Sequence, residues 1–265
     1  MTAILPETLA AIVAYVNAPV AKEGLYGIIV VGAGTTDISF FRLSFSGADK
    51  RPRAAFYYAQ TTPVGAYLVD REVLNILGIR ATAVPDQGAE QSRKLQVIRL
   101  AKEALSQQSS VRLTDLDGCP VLTRQQLDQA ATVLADQVAA AHAKTWQGAY
   151  TKESRLSNWR DLQLFHAGGG ARLSLVQDEL RRSLHPHLPA PSVNRIYLGD
   201  IQGVLGASGL SRETDEADLL VVAYGLSFPK VDFPEFFPPG SVRPFQPRPP
   251  EGKPITPEDL GYSEK

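Results

Sequence analysis

The chain has 265 residues, 44% of them hydrophobic, with 27 basic and 28 acidic side chains and a net charge of −1. This fits a globular protein of one large or two small domains, and the even charge with no long run of either sign argues against a nucleic-acid partner. Apolar runs such as 28–31 and 219–223 are far short of the roughly 20 residues that cross a bilayer, and the one cysteine, Cys119, and a start without a basic leader predict a cytoplasmic protein with no membrane partner.

In chain order, Leu9, Ala10, Ile12, Val13 and Val16 recur at helical spacing and predict a short buried helix. Residues 27–31 read as a β-strand ending in the turn Gly32-Ala33-Gly34-Thr35-Thr36-Asp37. Strands at 38–45 and 54–60, separated by a turn at 46–49, complete an antiparallel meander. Ala66, Val69, Val73, Leu74 and Leu77 then share a helical face, with Gly78 as its stop. After a break at 85–88, Leu95, Ile98, Ala101 and Leu105 mark a further helix, and 109–122 reads as a hairpin turning at Asp117-Gly118. Thr123 and Gln126 have capping-box spacing before a long amphipathic helix through Leu127, Ala131, Leu134, Val138 and Ala141.

A strand at 161–167 runs into Gly168-Gly169-Gly170, and Ser174 with Gln177 predicts a second capping box for a helix through Leu184. A short strand at 195–198 and a buried helix at 215–227 follow. From Pro229 onward, where 10 of the 19 prolines fall, the pattern predicts an extended tail that Phe233, Phe236, Phe237 and Phe245 dock on the domain or on a partner. There is no internal repeat.

Both glycine turns follow apolar strands, where backbone N–H groups approach a phosphate unobstructed by Cβ atoms, although glycines also serve tight turns without a ligand. A dinucleotide fingerprint is disfavoured, because Asp37 stands at its third glycine and a strand replaces its helix. Neither turn leads into Gly-Lys-Ser/Thr, so there is no P-loop. What remains is a hairpin phosphate turn, with the Thr35 hydroxyl directed to a phosphate or a water and Asp37 fixing the turn. His185 and His187 read as a surface turn rather than a metal site, His166 as a strand residue, and Cys119 as no nucleophile.

The segment Gly32 to Ser39 resembles the second phosphate loop of the seventy-kilodalton heat-shock chaperones, Asp-x-Gly-Gly-Gly-Thr-x-Asp. Glu7 to Tyr15 is similar to that family's connecting helix, Gly65 to Asp70 to its Gly-Gly-x-x-Phe-Asp segment, and Ala101 to Ser106 to the helix edging its adenine pocket. Gly168 to Leu173 resembles the adenosine motif and Val222 to Gly225 the second connecting helix, all in family order.

The resemblance implies an α/β, actin-like ATPase (ribonuclease H-like) fold. Residues 1–228 would be its second lobe, with a smaller α+β subdomain inserted at about 72–150, and 229–265 a Pro/Phe-rich tail. It implies ATP or ADP with a magnesium ion. Gly32, Ala33, Gly34 and Thr35 would lie at the phosphates, Lys102 and Ser106 at the adenosine, and Arg172 over the adenine, approached across Gly168, Gly169 and Gly170. Glu7 and Thr35 would be the catalytic groups, with no direct protein ligand to the metal.

Three departures bear on activity. Val30 stands where the family has a carboxylate, and a valine neither binds a hard cation nor orders its waters. Arg99 and Glu103 reverse the usual charges of the adenine-edge helix and suggest a pair with each other. The first lobe is expected to be missing, which leaves half of a phosphoryl-transfer clamp and implies weak or no hydrolysis by the chain alone. The reading is therefore an adenine-nucleotide-binding lobe, with a separately supplied first lobe as a partner. A non-catalytic interaction module on the same fold and an actin-like filament protein are the alternatives.

Overall fold

A computed structural model describes residues 7–18, 21–45, 51–79, 87–105, 108–195 and 217–245. Ser106 and the turn at 46–49 lie outside the described residues, as do 196–198 of the strand expected at 195–198.

The β-prone run at 24–31 becomes the central strand β1 (Gly24–Val31), buried from Leu25 to Val31 because both of its faces are covered. On one side it pairs antiparallel with β2 (Thr36–Phe45), which pairs antiparallel with β3 (Pro52–Thr62), giving the expected meander. The register passes from Phe40↔Tyr58 to Phe41↔Phe56, so Tyr57 is an extra, bulged residue in β3. Two short strands, β4 (Ser110–Arg112) and β5 (Val121–Thr123), form the expected hairpin, with Gly118 at φ 75° in its loop.

On its other side β1 pairs parallel with β6 (Gln163–Ala167), and β6 parallel with β7 (Ser192–Arg195). A last strand, β8 (Glu235–Phe237), runs parallel to β3. The sheet order is β7-β6-β1-β2-β3-β8, in which β2 alone runs against the others. The chain is thus a mixed α/β protein. Strand β7 begins three residues before the expected 195–198, because the edge sequence Ser-Val-Asn-Arg has too little apolar signal to stand out from its neighbours.

Helices cover both faces. Helices α1 (Glu7–Val16) and α7 (Ala217–Leu226) lie on one, over Phe41, Leu43, Phe56 and Phe165. They meet at backbone distance, since a Cβ on Gly225 would stand 1.7 Å from the Ala10 carbonyl oxygen. Under α1 the Tyr15 hydroxyl donates to that of Tyr26 (3.0 Å), which donates to the Lys22 carbonyl (2.8 Å), so the buried phenols are satisfied.

The opposite face carries α2 (Tyr67–Ile76), α4 (Arg124–Lys152) and α6 (Ser174–Leu180), with α3 (Gln87–Ala104) beside α2. The expected stripe Leu95, Ile98, Ala101 and Leu105 is buried in one core with Ile29, Phe40 and Leu164 of the sheet. The smaller subdomain anticipated near 72–150 therefore shares its core with the sheet. Helix α4 joins the two and ends near α5 (Leu156–Trp159).

The first capping box forms as expected, the Gln126 N–H donating to Thr123 Oγ1 (3.2 Å) and the Thr123 N–H to Gln126 Oε1 (2.9 Å). The second does not. A 3-10 turn at Gly169–Arg172 feeds straight into α6, Leu173 takes the N-cap position without a side-chain bond, and Ser174 falls inside the helix. The helix also stops at Leu180, before Leu184, and Ser183 Oγ turns the chain by bonding the His185 and Leu188 carbonyls.

The segment expected to be an extended tail docks on its own domain through residue 245. After a 3-10 turn at Lys230–Asp232, β8 joins the sheet edge, with Glu235 3.0 Å from Arg53 Nε and Phe236 packed into the core beneath α1. The chain then crosses the edge, where the Val242 carbonyl accepts from Lys152 Nζ (3.2 Å) and the Phe245 N–H donates to the Lys152 carbonyl (2.8 Å).

Candidate functional site

Because β1 and β6 are parallel neighbours, with Val30 opposite Ala167, the two glycine turns leave the sheet side by side at the carboxyl ends of these strands. In open α/β sheets this is where ligands bind. Gly32 and Gly168 are far apart in the sequence, so the sheet alone brings the turns together.

The first turn is a tight hairpin closed by the Gly32 N–H on the Thr35 carbonyl (2.9 Å). Its carbonyls are used by the chain itself: that of Gly32 accepts from the Ala66 N–H (2.9 Å) and that of Ala33 from the Tyr67 N–H (2.8 Å), at the start of α2. Ala33, Gly34 and Thr35 are exposed, and the N–H groups of Ala33 and Gly34 have no acceptor among the described residues. Gly65 permits this docking, since a Cβ there would stand 2.6 Å from the Ala33 carbonyl. Gly34 differs: its φ is not positive, and a Cβ would meet nothing within 4 Å. Among the described residues nothing demands glycine at 34, and the space beside it is open to a ligand.

The second turn packs on the end of β1. Gly168 has φ 83°, and its Cβ would lie 2.5 Å from the Val31 carbonyl oxygen, while one on Gly170 would lie 2.4 Å from Val31 Cγ1. These two glycines are required by strand-to-turn contact whether or not a ligand is present. Arg172 ends the 3-10 turn half-buried. Glu7 opens α1 with a carboxylate oxygen 3.9 Å from the Cβ position of Gly32, so it too belongs to this end of the sheet.

Asp37 does not fix the turn as expected. It accepts a hydrogen bond from the Thr61 hydroxyl, its register partner in β3, and so ties β2 to β3. The turn is anchored instead by Thr36, fully buried, whose hydroxyl donates to the Val64 carbonyl (2.7 Å). Only the alternation of the strand, which puts Thr36 inside and Thr35 outside, distinguishes the two threonines in sequence.

Asp70 is a second residue the sequence reading passed over as a site element. It sits 2% exposed in the first turn of α2, paired with Lys102 and with Arg99 (3.3 Å) from α3. Lys102 is thereby held at the start of α2, next to the helix end that meets the first turn. Arg99, expected to pair with Glu103, pairs with Asp70 across the helix interface, because a buried carboxylate is a stronger partner than an exposed one on the same helix.

Val30 is buried beneath α1 among Ile12, Ile28 and Ala167, so its side chain offers this end of the sheet no oxygen. His185 packs its ring against Trp146 and Tyr150 (both 5.8 Å) and accepts the His187 N–H on Nδ1 (3.1 Å). Among the described residues no group of three or more His, Cys, Asp or Glu side chains is placed to hold a metal ion. Among those residues, too, no helix is long and apolar enough to cross a membrane.

A scan against protein-family models finds no match to this chain, and a search of curated proteins finds none either.

Proposed function

We propose that the chain is an adenine-nucleotide-binding lobe of actin-like type, similar to the second lobe of the seventy-kilodalton heat-shock chaperones. The observation that carries this reading is the pair of glycine turns at the ends of β1 and β6, with the N–H groups of Ala33 and Gly34 unengaged among the described residues beside an open glycine. Backbone donors of this kind suit phosphate oxygens. A five-strand core in which only the second strand is reversed, and two helices crossing at Gly225 and Ala10, are also what this lobe type would have. ATP or ADP would lie with its phosphates at 32–35 and its adenine at Arg172. Lys102 would act from its position on Asp70.

The residues fit the phosphates better than the metal. Of the carboxylates described beside the first turn, Glu7 heads α1 and Asp37 accepts the Thr61 hydroxyl, and Val30 supplies none, so ordering of magnesium and its waters would depend largely on the nucleotide and on a partner lobe. The chain alone would therefore bind nucleotide without appreciable hydrolysis. The buried Val30 also favours a second reading, a non-catalytic interaction module that keeps the fold.

Calorimetric titration with ATP and magnesium tests the proposal, using Arg172→Ala and Gly34→Val as controls. Saturable binding is expected, weakened about tenfold or more in each variant while the melting temperature stays within a few degrees, because residue 34 has room for a side chain. Absence of binding to the parent chain would remove the nucleotide reading and leave the interaction module.

A further inference from the structure

A cavity of about 300 Å³ opens on the α1 face of the sheet, between α1, β2, β3 and the C-terminal segment. None of Gly32 to Thr35 or Gly168 to Arg172 lines it, so it is separate from the glycine turns. The sheet contributes Phe56 and Ala59, α1 contributes Leu9, and the C-terminal segment contributes Phe236, Pro238 and Pro239. The polar residues of the lining are Thr8, Ser39, Gln60, Thr61 and Asp37, and among the described residues Asp37 is the one charged group.

That carboxylate has one hydrogen bond, from the Thr61 hydroxyl, and no ion pair among the described residues. Glu7, next to Thr8 at the start of α1, adds negative charge near the same end. A carboxylate at the rim of a mostly apolar concavity lets one ligand meet a charge and an apolar wall together. A cavity of this volume lies at the small end of ligand pockets. We infer that it binds a small amphiphilic amine, with the apolar body against Leu9, Phe56 and Phe236 and the ammonium group on Asp37. The hydroxyls of Ser39 and Thr8 supply further acceptors for the ammonium protons.

The inference is independent of the nucleotide reading and is tested with phenethylamine, its neutral counterpart phenethyl alcohol and its anionic counterpart phenylacetate. Saturable binding of the amine below about 1 mM is expected, at least tenfold tighter than the alcohol, with no binding of the acid. Asp37→Asn keeps the acceptor for Thr61 and should reduce the amine to the level of the alcohol. Ala59→Leu, which fills the cavity from an exposed strand position, should remove binding of both. Arg172→Ala should leave amine binding unchanged even if nucleotide binding is lost. Equal affinity for amine and alcohol, an amine preference that survives Asp37→Asn, or no saturable binding to a folded parent chain would each overturn the inference.

Discussion

At the scale of single residues, burial sets the chemistry more than identity does. His142, on the face of α4 toward the sheet, stacks on Phe40 with ring centroids 5.8 Å apart, and its Nε2 is buried without a hydrogen-bond partner in the described structure. Burial pushes its pKa down from 6.5 to about 4, so the folded protein holds it neutral at pH 7. Unfolding exposes an imidazole that binds a proton below about pH 6.5. Between that pH and about 4 the unfolded chain therefore carries more protons than the folded one, and stability falls as pH falls. A shift of this size corresponds to roughly 3 kcal/mol across the window. Urea denaturation at pH 7 and pH 4.5 should show most of that loss in the parent protein and a markedly smaller loss in His142→Leu. An equal loss in both would mean that His142 is not responsible.

At the scale of elements, the contacts that matter are those in which one element's backbone reaches another. Helices α1 and α7 touch where Gly225 faces the Ala10 carbonyl, and no side chain fits between them without separating the helices. Gly225→Ala should destabilise the fold by roughly 1 to 3 kcal/mol, the usual cost of overpacking. Gly240→Ala, whose Cβ would meet nothing within 4 Å, should leave the melting temperature unchanged. Similar melting curves for the two variants would show that the crossing relaxes freely.

The end of α4 is held in a different way. Glu153, 2% exposed, takes the Arg155 guanidinium on both carboxylate oxygens and the Asn158 side-chain amide at 2.9 Å. Burial alone would raise the pKa of Glu153, but the bonds from Arg155 and Asn158 outweigh it and hold the carboxyl below the ordinary glutamate range. This pair stabilises the fold above the ordinary glutamate pKa and loses that contribution on acidification. Arg155 also lies over the Phe245 ring (4.3 Å), which joins the end of α4 to the C-terminal segment.

At the scale of the whole molecule, residues 229–245 cover an edge that the sheet would otherwise present. The backbone of β3 at 53–55 is paired by β8, and Phe236 completes the core beneath α1. Deleting residues 229–265 should lower the melting temperature and, by baring paired backbone groups of an edge strand, promote self-association. Size-exclusion chromatography with light scattering checks this, and a monomer of unchanged melting temperature would show that the segment is dispensable to the fold. The same deletion removes Phe236, Pro238 and Pro239 from the cavity wall and should abolish amine binding along with the edge contacts.

Most elements were legible in the sequence because their signals are local. The burial period of α1, α3 and α4, the β-branched run of β1, the capping box at Thr123 and the stop at Gly78, φ 67°, each depend on a few adjacent residues. The glycine turns were visible for the same reason. Their neighbourhood was not, because it arises from the parallel pairing of β1 with β6 across more than a hundred residues. Tertiary contact alone decided that Gly168 and Gly170 serve the packing on Val31 while a side chain at Gly34 would meet none of the described residues, and that Asp70 takes both Arg99 and Lys102. It likewise turned a proline-rich tail into a sheet edge. A three-residue strand has too little pattern of its own to be read from sequence, and is held only by the strand and core that receive it.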